Sequence, residues 1–234
     1  MADLTAAAFI ARLLPMATGE QKVKYERFFP GDDSFAGVRM GSVFALAKEH
    51  LAMPVQEIEV LLDHDVHEVR VGGCSIMGKA ATQKRVAEQR HEQLYDLCLR
   101  RHDRIDSWDL VDLVAYQVVG SWLLDRPRQP LYTLARSAVW PERRTAVVAT
   151  AAFIRRGEVA DTFAITRLLL DDPEDLVHKG AGWMLRYAGD VDPAALREFL
   201  DERAATMPRA MLRAAIEKLD KAERSAYLGR TELT

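Results

Sequence analysis

Apolar residues recur at helical spacing along almost the whole chain, and the alternation that marks strands is absent. The spacing predicts amphipathic helices over residues 5–14, 37–50, 66–82, 84–100, 107–120, 141–156, 174–188 and 193–203. Turn residues punctuate the intervals: Pro30-Gly31-Asp32-Asp33, Met53-Pro54, Asp125-Arg126-Pro127, Gly157 and Gly189-Asp190. Pro141 and Pro173 fall where a first helical turn tolerates proline.

The helices repeat. Leu61-Leu62, Leu99-Arg100, Leu134-Ala135 and Leu169-Leu170 align without gaps at steps of 38, 35 and 35 residues. The same alignment stacks Val69-Arg70, Ser107-Trp108, Glu142-Arg143 and Val177-His178, with Gly73, Val111, Ala146 and Ala181 following. A looser copy runs from Leu196 to Leu219. A wholly helical period of this length is that of HEAT-like repeats. The expected fold is therefore all-α, an α-solenoid of HEAT-like helical repeats with a concave basic groove lined by the second helix of each pair. One domain over 1–234 is expected, with N-terminal helices in 1–35, repeats in 36–220 and a C-terminal tail in 221–234.

Composition narrows the class. The 234 residues carry 32 Lys+Arg against 35 Asp+Glu, a net charge of −3, which excludes a bulk polycation. A hydrophobic content of 49% excludes disorder. The N-terminus has no basic region before its apolar stretch, and no uncharged run approaches the roughly 20 residues of a membrane helix. Two cysteines, Cys74 and Cys98, are too few for a disulfide framework. A cytoplasmic monomer with no membrane association is expected. Charge is uneven, however: residues 136–156 hold five arginines against Glu142, a local +4 that suits a phosphate backbone.

The repeat register carries chemistry. Asp112 aligns with Val147 and Gly182, and Asp109 aligns with Arg144 and Lys179. Trp108 and Asp112 are four residues apart and share a helix face. A wall bearing Trp108, Asp112, Arg144, Lys179 and Trp183 is expected. The plainer reading makes the tryptophans core and the aspartate a cap or an inter-repeat ion pair.

Three stretches decide between them: Ser107-Trp108-Asp109-Leu110-Val111-Asp112, Trp140-Pro141-Glu142-Arg143-Arg144-Thr145-Ala146, and His178-Lys179-Gly180-Ala181-Gly182-Trp183-Met184-Leu185-Arg186. Together with Lys24-Tyr25-Glu26-Arg27-Phe28-Phe29 they resemble the AlkD-type DNA alkylation repair family, alkylpurine DNA glycosylases built from HEAT-like repeats. The resemblance implies that Asp112 is the catalytic carboxylate and that Trp108 and Trp183 wall the cleft. It implies that Tyr25 lines the same cleft and that Arg144 holds a backbone phosphate, with Lys179 and Arg186 as further DNA contacts. Counting from Trp140 points to Arg143 for the phosphate; the following Thr145-Ala146-Val147 points to Arg144, and helix register favours Arg144. The implied reaction is hydrolysis of the N-glycosidic bond of cationic N3- or N7-alkylated purines in double-stranded DNA, with neither cofactor nor metal. A non-catalytic HEAT-like module that binds DNA or protein is the alternative.

Two further patterns are read as decoys. Gly73-Cys74-Ser75-Ile76-Met77-Gly78-Lys79-Ala80 approaches a P-loop, but Ala80 replaces the required hydroxyl and the glycines lie in a repeat helix. His64-Asp65-Val66-His67-Glu68 could ligate a metal, but it is expected to be a solvated turn.

Overall fold

The computed structural model describes residues 3–29 and 33–230, so the turn expected at Pro30-Gly31-Asp32 lies outside the described residues. Among the described residues every regular element is helical, and one isolated parallel bridge joins Ser34 to Val66. The fold is all-α, as the periodicity predicts. None of these helices is long and apolar enough to cross a membrane.

The helices group into two compact units, residues 1–122 and 123–234. The first holds α1 (Ala6–Leu13), α2 (Gly19–Phe28), α3 (Met40–Glu49), α4 (Val55–Leu62), α5 (His67–Ala81), α6 (Glu88–Arg100) and α7 (Trp108–Val114). A π-helical stretch, Ala115–Gly120, continues α7. α5 is the centre of this unit: every residue in it except Lys79 is buried. It packs against α3, α4, α6, α7 and the π stretch. A helix surrounded on all sides needs small residues where neighbours cross. A Cβ on Gly72 would lie 2.6 Å from the Phe9 ring, and one on Gly78 would lie 2.4 Å from the Leu113 carbonyl oxygen. The P-loop-like stretch is thus a packing surface inside α5.

The second unit holds α8 (Gln129–Leu134), α9 (Trp140–Val148), α10 (Ala151–Ile154), α11 (Ala160–Leu168), α12 (Asp175–Val191), α13 (Pro193–Arg203), α14 (Arg209–Ala215) and α15 (Lys221–Leu228). α12 is its hub, packed against α9, α10, α11, α13 and α14. The helix expected over 141–156 is broken at Ala149-Thr150, where buried Thr150 donates its hydroxyl to the Val147 carbonyl at 2.6 Å. That side chain competes with the helical ladder, and the backbone tightens to i→i+3 bonds there. The segment expected as a C-terminal tail is helical through Leu228, with the Asp220 carboxylate capping α15 at the Glu223 amide.

Repeat register and helix ends coincide. α4, α6, α8 and α11 end at Leu62, Arg100, Leu134 and Leu168, and α5, α7, α9 and α12 begin a few residues later. Gly73, Val111, Ala146 and Ala181, aligned in sequence, are all buried.

Gly78→Ala should lower the unfolding free energy by about 1–3 kcal/mol, because the added methyl meets backbone. Gly41→Ala, at an exposed position of α3 with open space around it, should be neutral or stabilising by up to about 1 kcal/mol. Urea midpoints compare the two; equal effects would contradict the packing account.

Candidate active site

Within the first unit, α7 places Trp108 and Asp112 on one wall of a cleft of about 460 Å³. Tyr25 and Phe28 of α2, Phe29, and Phe44 of α3 form much of the remaining lining. Three residues that the sequence reading singled out, Tyr25, Trp108 and Asp112, therefore meet here. Phe29 stacks on Trp108 with ring centroids 5.8 Å apart and planes inclined by 12°, and Phe28 meets the same indole edge-on at 6.2 Å. The result is an aromatic cleft with a carboxylate in its wall.

The cleft is held from below by buried charge. Glu68, fully buried in the first turn of α5, accepts hydrogen bonds from the Ala36, Gly37 and Val38 amides at 3.1, 2.7 and 3.0 Å. That anchors the strand-like run before α3. Gly37 has a φ of +97°, and a Cβ there would collide with the Thr18 carbonyl, so only glycine lets this run meet the start of α2. Tyr25 completes the join: its hydroxyl donates to the Val38 carbonyl and accepts from the Met40 amide, both at 3.2 Å. Burial raises the Tyr25 pKa, so the phenol stays neutral.

His67 is also fully buried, which corrects the expected solvated turn: the turn ends at Val66, and His67 opens α5. Its Nε2 lies 2.8 Å from an Asp109 carboxylate oxygen and its Nδ1 lies 3.3 Å from Asp33. Burial alone would lower the imidazole pKa; hydrogen bonds and charge from Asp109 and Asp33 overcome it and raise the value to about 9. Arg70, one turn on, pairs with Asp33 and, at 3.0 Å, with Asp106. Its 3.4 Å approach to His67 Nδ1 is a like-charge contact bridged by Asp33, because the protonated ring has no acceptor to offer. Ser107 donates to Asp109 at 2.5 Å.

In the second unit, α12 exposes Trp183 at 42%, with exposed Lys179 one turn earlier. The Arg144 guanidinium of α9 lies 5.9 Å from the Trp183 ring and donates to the Leu176 carbonyl. Arg144 is only 2% exposed. Gly180 makes room for it, since a Cβ there would stand 3.1 Å from Nη1. Gly182 does the same for α14, whose Met211 carbonyl would lie 2.6 Å from an added Cβ. Arg186 pairs with Glu217. Arg143 makes four hydrogen bonds: Nε and Nη2 to Asp172 at 2.5 and 3.0 Å, and Nη1 to the Ser137 and Ala138 carbonyls at 3.0 Å. This arginine clamps the loop before α9 to α12's leading turn, where Asp172 also caps the Glu174 amide.

A family model described as DNA alkylation repair enzyme matches residues 9–219. The chain belongs to this DNA alkylation repair family. A solved structure described as a predicted DNA alkylation repair enzyme from Enterococcus faecalis is 19% identical, with a TM-score of 0.70 over 88% of this chain and 98% of that one. That likeness shows the shared fold. No curated protein matches by sequence.

In this member of the DNA alkylation repair family, the +4 stretch of residues 136–156 is not a bare cationic stripe. Arg143 is neutralised by Asp172, and Arg156 pairs with Asp125 at 2.7 Å and Glu158 at 3.5 Å. Counting charge along the stretch missed these partners because Asp172 and Asp125 lie 29 and 31 residues away and Glu158 falls just past its end. Sequence reasoning also missed Phe28, Phe29 and His67. The Tyr25-to-Phe29 run held the aromatic pair in plain view, but nothing in it disclosed the stack on Trp108, some 80 residues away.

Asp172 has a side chain only 2% exposed, so Arg143→Ala strands a buried carboxylate. The expected loss is about 3 kcal/mol of folding free energy, read from urea unfolding. A loss under about 1 kcal/mol would contradict the clamp.

Proposed function

We propose that the protein is a DNA glycosylase that removes cationic N3- and N7-alkylated purines from duplex DNA. The observation that carries this reading is the placing of Asp112 and Trp108 on one face of α7, in the wall of an aromatic cleft. An alkylated purine carries a positive charge before reaction. As the bond from its nitrogen to the deoxyribose C1′ breaks, the electron pair leaves with the base and neutralises it. Positive charge then develops on the sugar as an oxocarbenium ion. The Asp112 carboxylate stabilises that charge and orients the water that adds to C1′, whose proton passes to solvent.

A unit charge about 4 Å away is worth roughly 4 kcal/mol at an effective dielectric of 20, or about three decades of rate. The aromatic faces of Trp108 and Phe28 attract a cationic nucleoside in the same cleft. In the second unit, exposed Lys179 of α12 is the phosphate contact, with the exposed Trp183 indole one turn on. Arg144, packed against that indole, supports its orientation.

Mass detection of free base from methylated duplex DNA tests the reading. Wild-type protein should release 3-methyladenine or 7-methylguanine, and Asp112→Asn should slow release by about three decades while DNA affinity holds. DNA binding without base release by the wild type would favour a non-catalytic module. Lys179→Ala should reduce the slope of log affinity against log salt by about one. An unchanged slope would remove Lys179 from the phosphate contacts.

A further inference from the structure

We propose that His67 is the positioning residue for the α7 face that carries Trp108 and Asp112, acting through Asp109 on one side and Phe29 on the other. The proposal rests on the glycosylase reading for its rate measurements, and on geometry alone for its physical content.

The first arm is polar. His67 Nε2 and an Asp109 carboxylate oxygen are 2.8 Å apart, and Ser107 holds the other oxygen at 2.5 Å. Asp109 is the residue after Trp108 and lies in the first turn of α7. Fixing its carboxylate therefore fixes the rotation of α7 and the direction in which Trp108 and Asp112 project. The second arm is aromatic. The His67 ring lies 5.2 Å from Phe29, and Phe29 stacks on Trp108 at 5.8 Å. One imidazole thus holds the helix through the Asp109 side chain and reaches the indole through Phe29. His67 is absent from the cleft lining, so it positions and does not react.

The proton on His67 is what makes both ring nitrogens donors. The charged groups around the ring are Asp33 before α3, Asp109 of α7, and Arg70 of its own helix with Arg70's partner Asp106. Glu68 beside it is turned to the 36–38 amides, and the buried Cys74 thiol, its pKa raised by burial, stays neutral. Two cations thus face three carboxylates. Loss of the imidazolium proton leaves one cation against three carboxylates, and a neutral ring can donate to only one of them. The group's pKa is raised by folding to about 9. The anchor is therefore complete at neutral pH and is lost as pH rises through about 9. Displacement of reacting groups by an ångström is enough to cost about 100-fold in rate.

The experiment is single-turnover release of 3-methyladenine from pH 7 to 10, paired with Trp108 emission taken as the difference between wild type and Trp108→Phe. Wild-type rate and Trp108 emission should change together with a midpoint near 9. Asp109→Asn removes one of the two carboxylates that hold the proton, so both midpoints should move to lower pH. His67→Gln should slow release about 10- to 100-fold, with DNA affinity within about twofold and no alkaline limb. A flat wild-type profile, an unshifted midpoint in Asp109→Asn, or wild-type rate in His67→Gln would overturn the proposal. If His67→Gln does not fold, the wild-type and Asp109→Asn titrations decide alone. If wild type releases no base at any pH, the glycosylase reading fails; the Trp108 emission midpoint and its shift still decide the role of His67.

Discussion

The constraint on which most of the first unit depends is that α5 has no solvent-facing side. A helix buried all round must admit neighbours through small residues, and it must match every charge it carries. Its glycines meet the first demand at Phe9 and Leu113. The second is harder, because His67, Glu68 and Arg70 sit within one turn of each other at its start. An unmatched buried charge costs several kcal/mol. Each of the three is matched, and the matching groups come from residues 33–38 and 106–109. Those are the segments that carry α3 and α7 into the cleft. Core packing and site geometry thus share one cause.

How far the chain could be read in advance follows from the range of the interactions involved. Helices such as α5 and α12 were legible, because their 15 and 17 residues outlast any choice of window. Their partners α4, α8 and α11 are six to nine residues long, too short for a stripe to stand out from its flanks. The break in the helix after Val148 turns on one hydroxyl, that of Thr150, choosing a backbone carbonyl. Trp108 and Asp112 share a face by local spacing alone, so their meeting in one cleft was within reach. The Phe29 stack and the His67–Asp109 bond join residues about 80 and 42 apart in sequence. No local pattern encodes such a pairing.

The charge pattern shows the same limit from the other side. Arginines in residues 136–156 are dense, yet their roles diverge. Arg143 binds Asp172 and two carbonyls, Arg156 binds acids of its own unit, and Arg144 lies under an indole. Arginine's five fixed donors make it a good clamp as well as a good phosphate ligand. Only the partners distinguish the uses. By that test the exposed Lys179 beside the half-exposed Trp183 has more to offer a nucleic acid than most of the arginines nearby.

The cleft also bears on which bases could leave. A neutral purine needs a proton as its bond to the sugar breaks; a cationic alkylated one does not. Asp109 lines the cleft, but its two oxygens are engaged as acceptors from His67 and Ser107. Tyr25, whose hydroxyl donates to a carbonyl and whose pKa is raised, has its proton committed elsewhere. Lys24, also in the lining, is paired with Glu20 at 2.7 Å, and the aromatic faces and a second carboxylate favour positive charge without supplying protons. On the glycosylase reading, the selectivity for cationic lesions then comes from what the buried network beneath α7 withholds, as much as from what Asp112 provides.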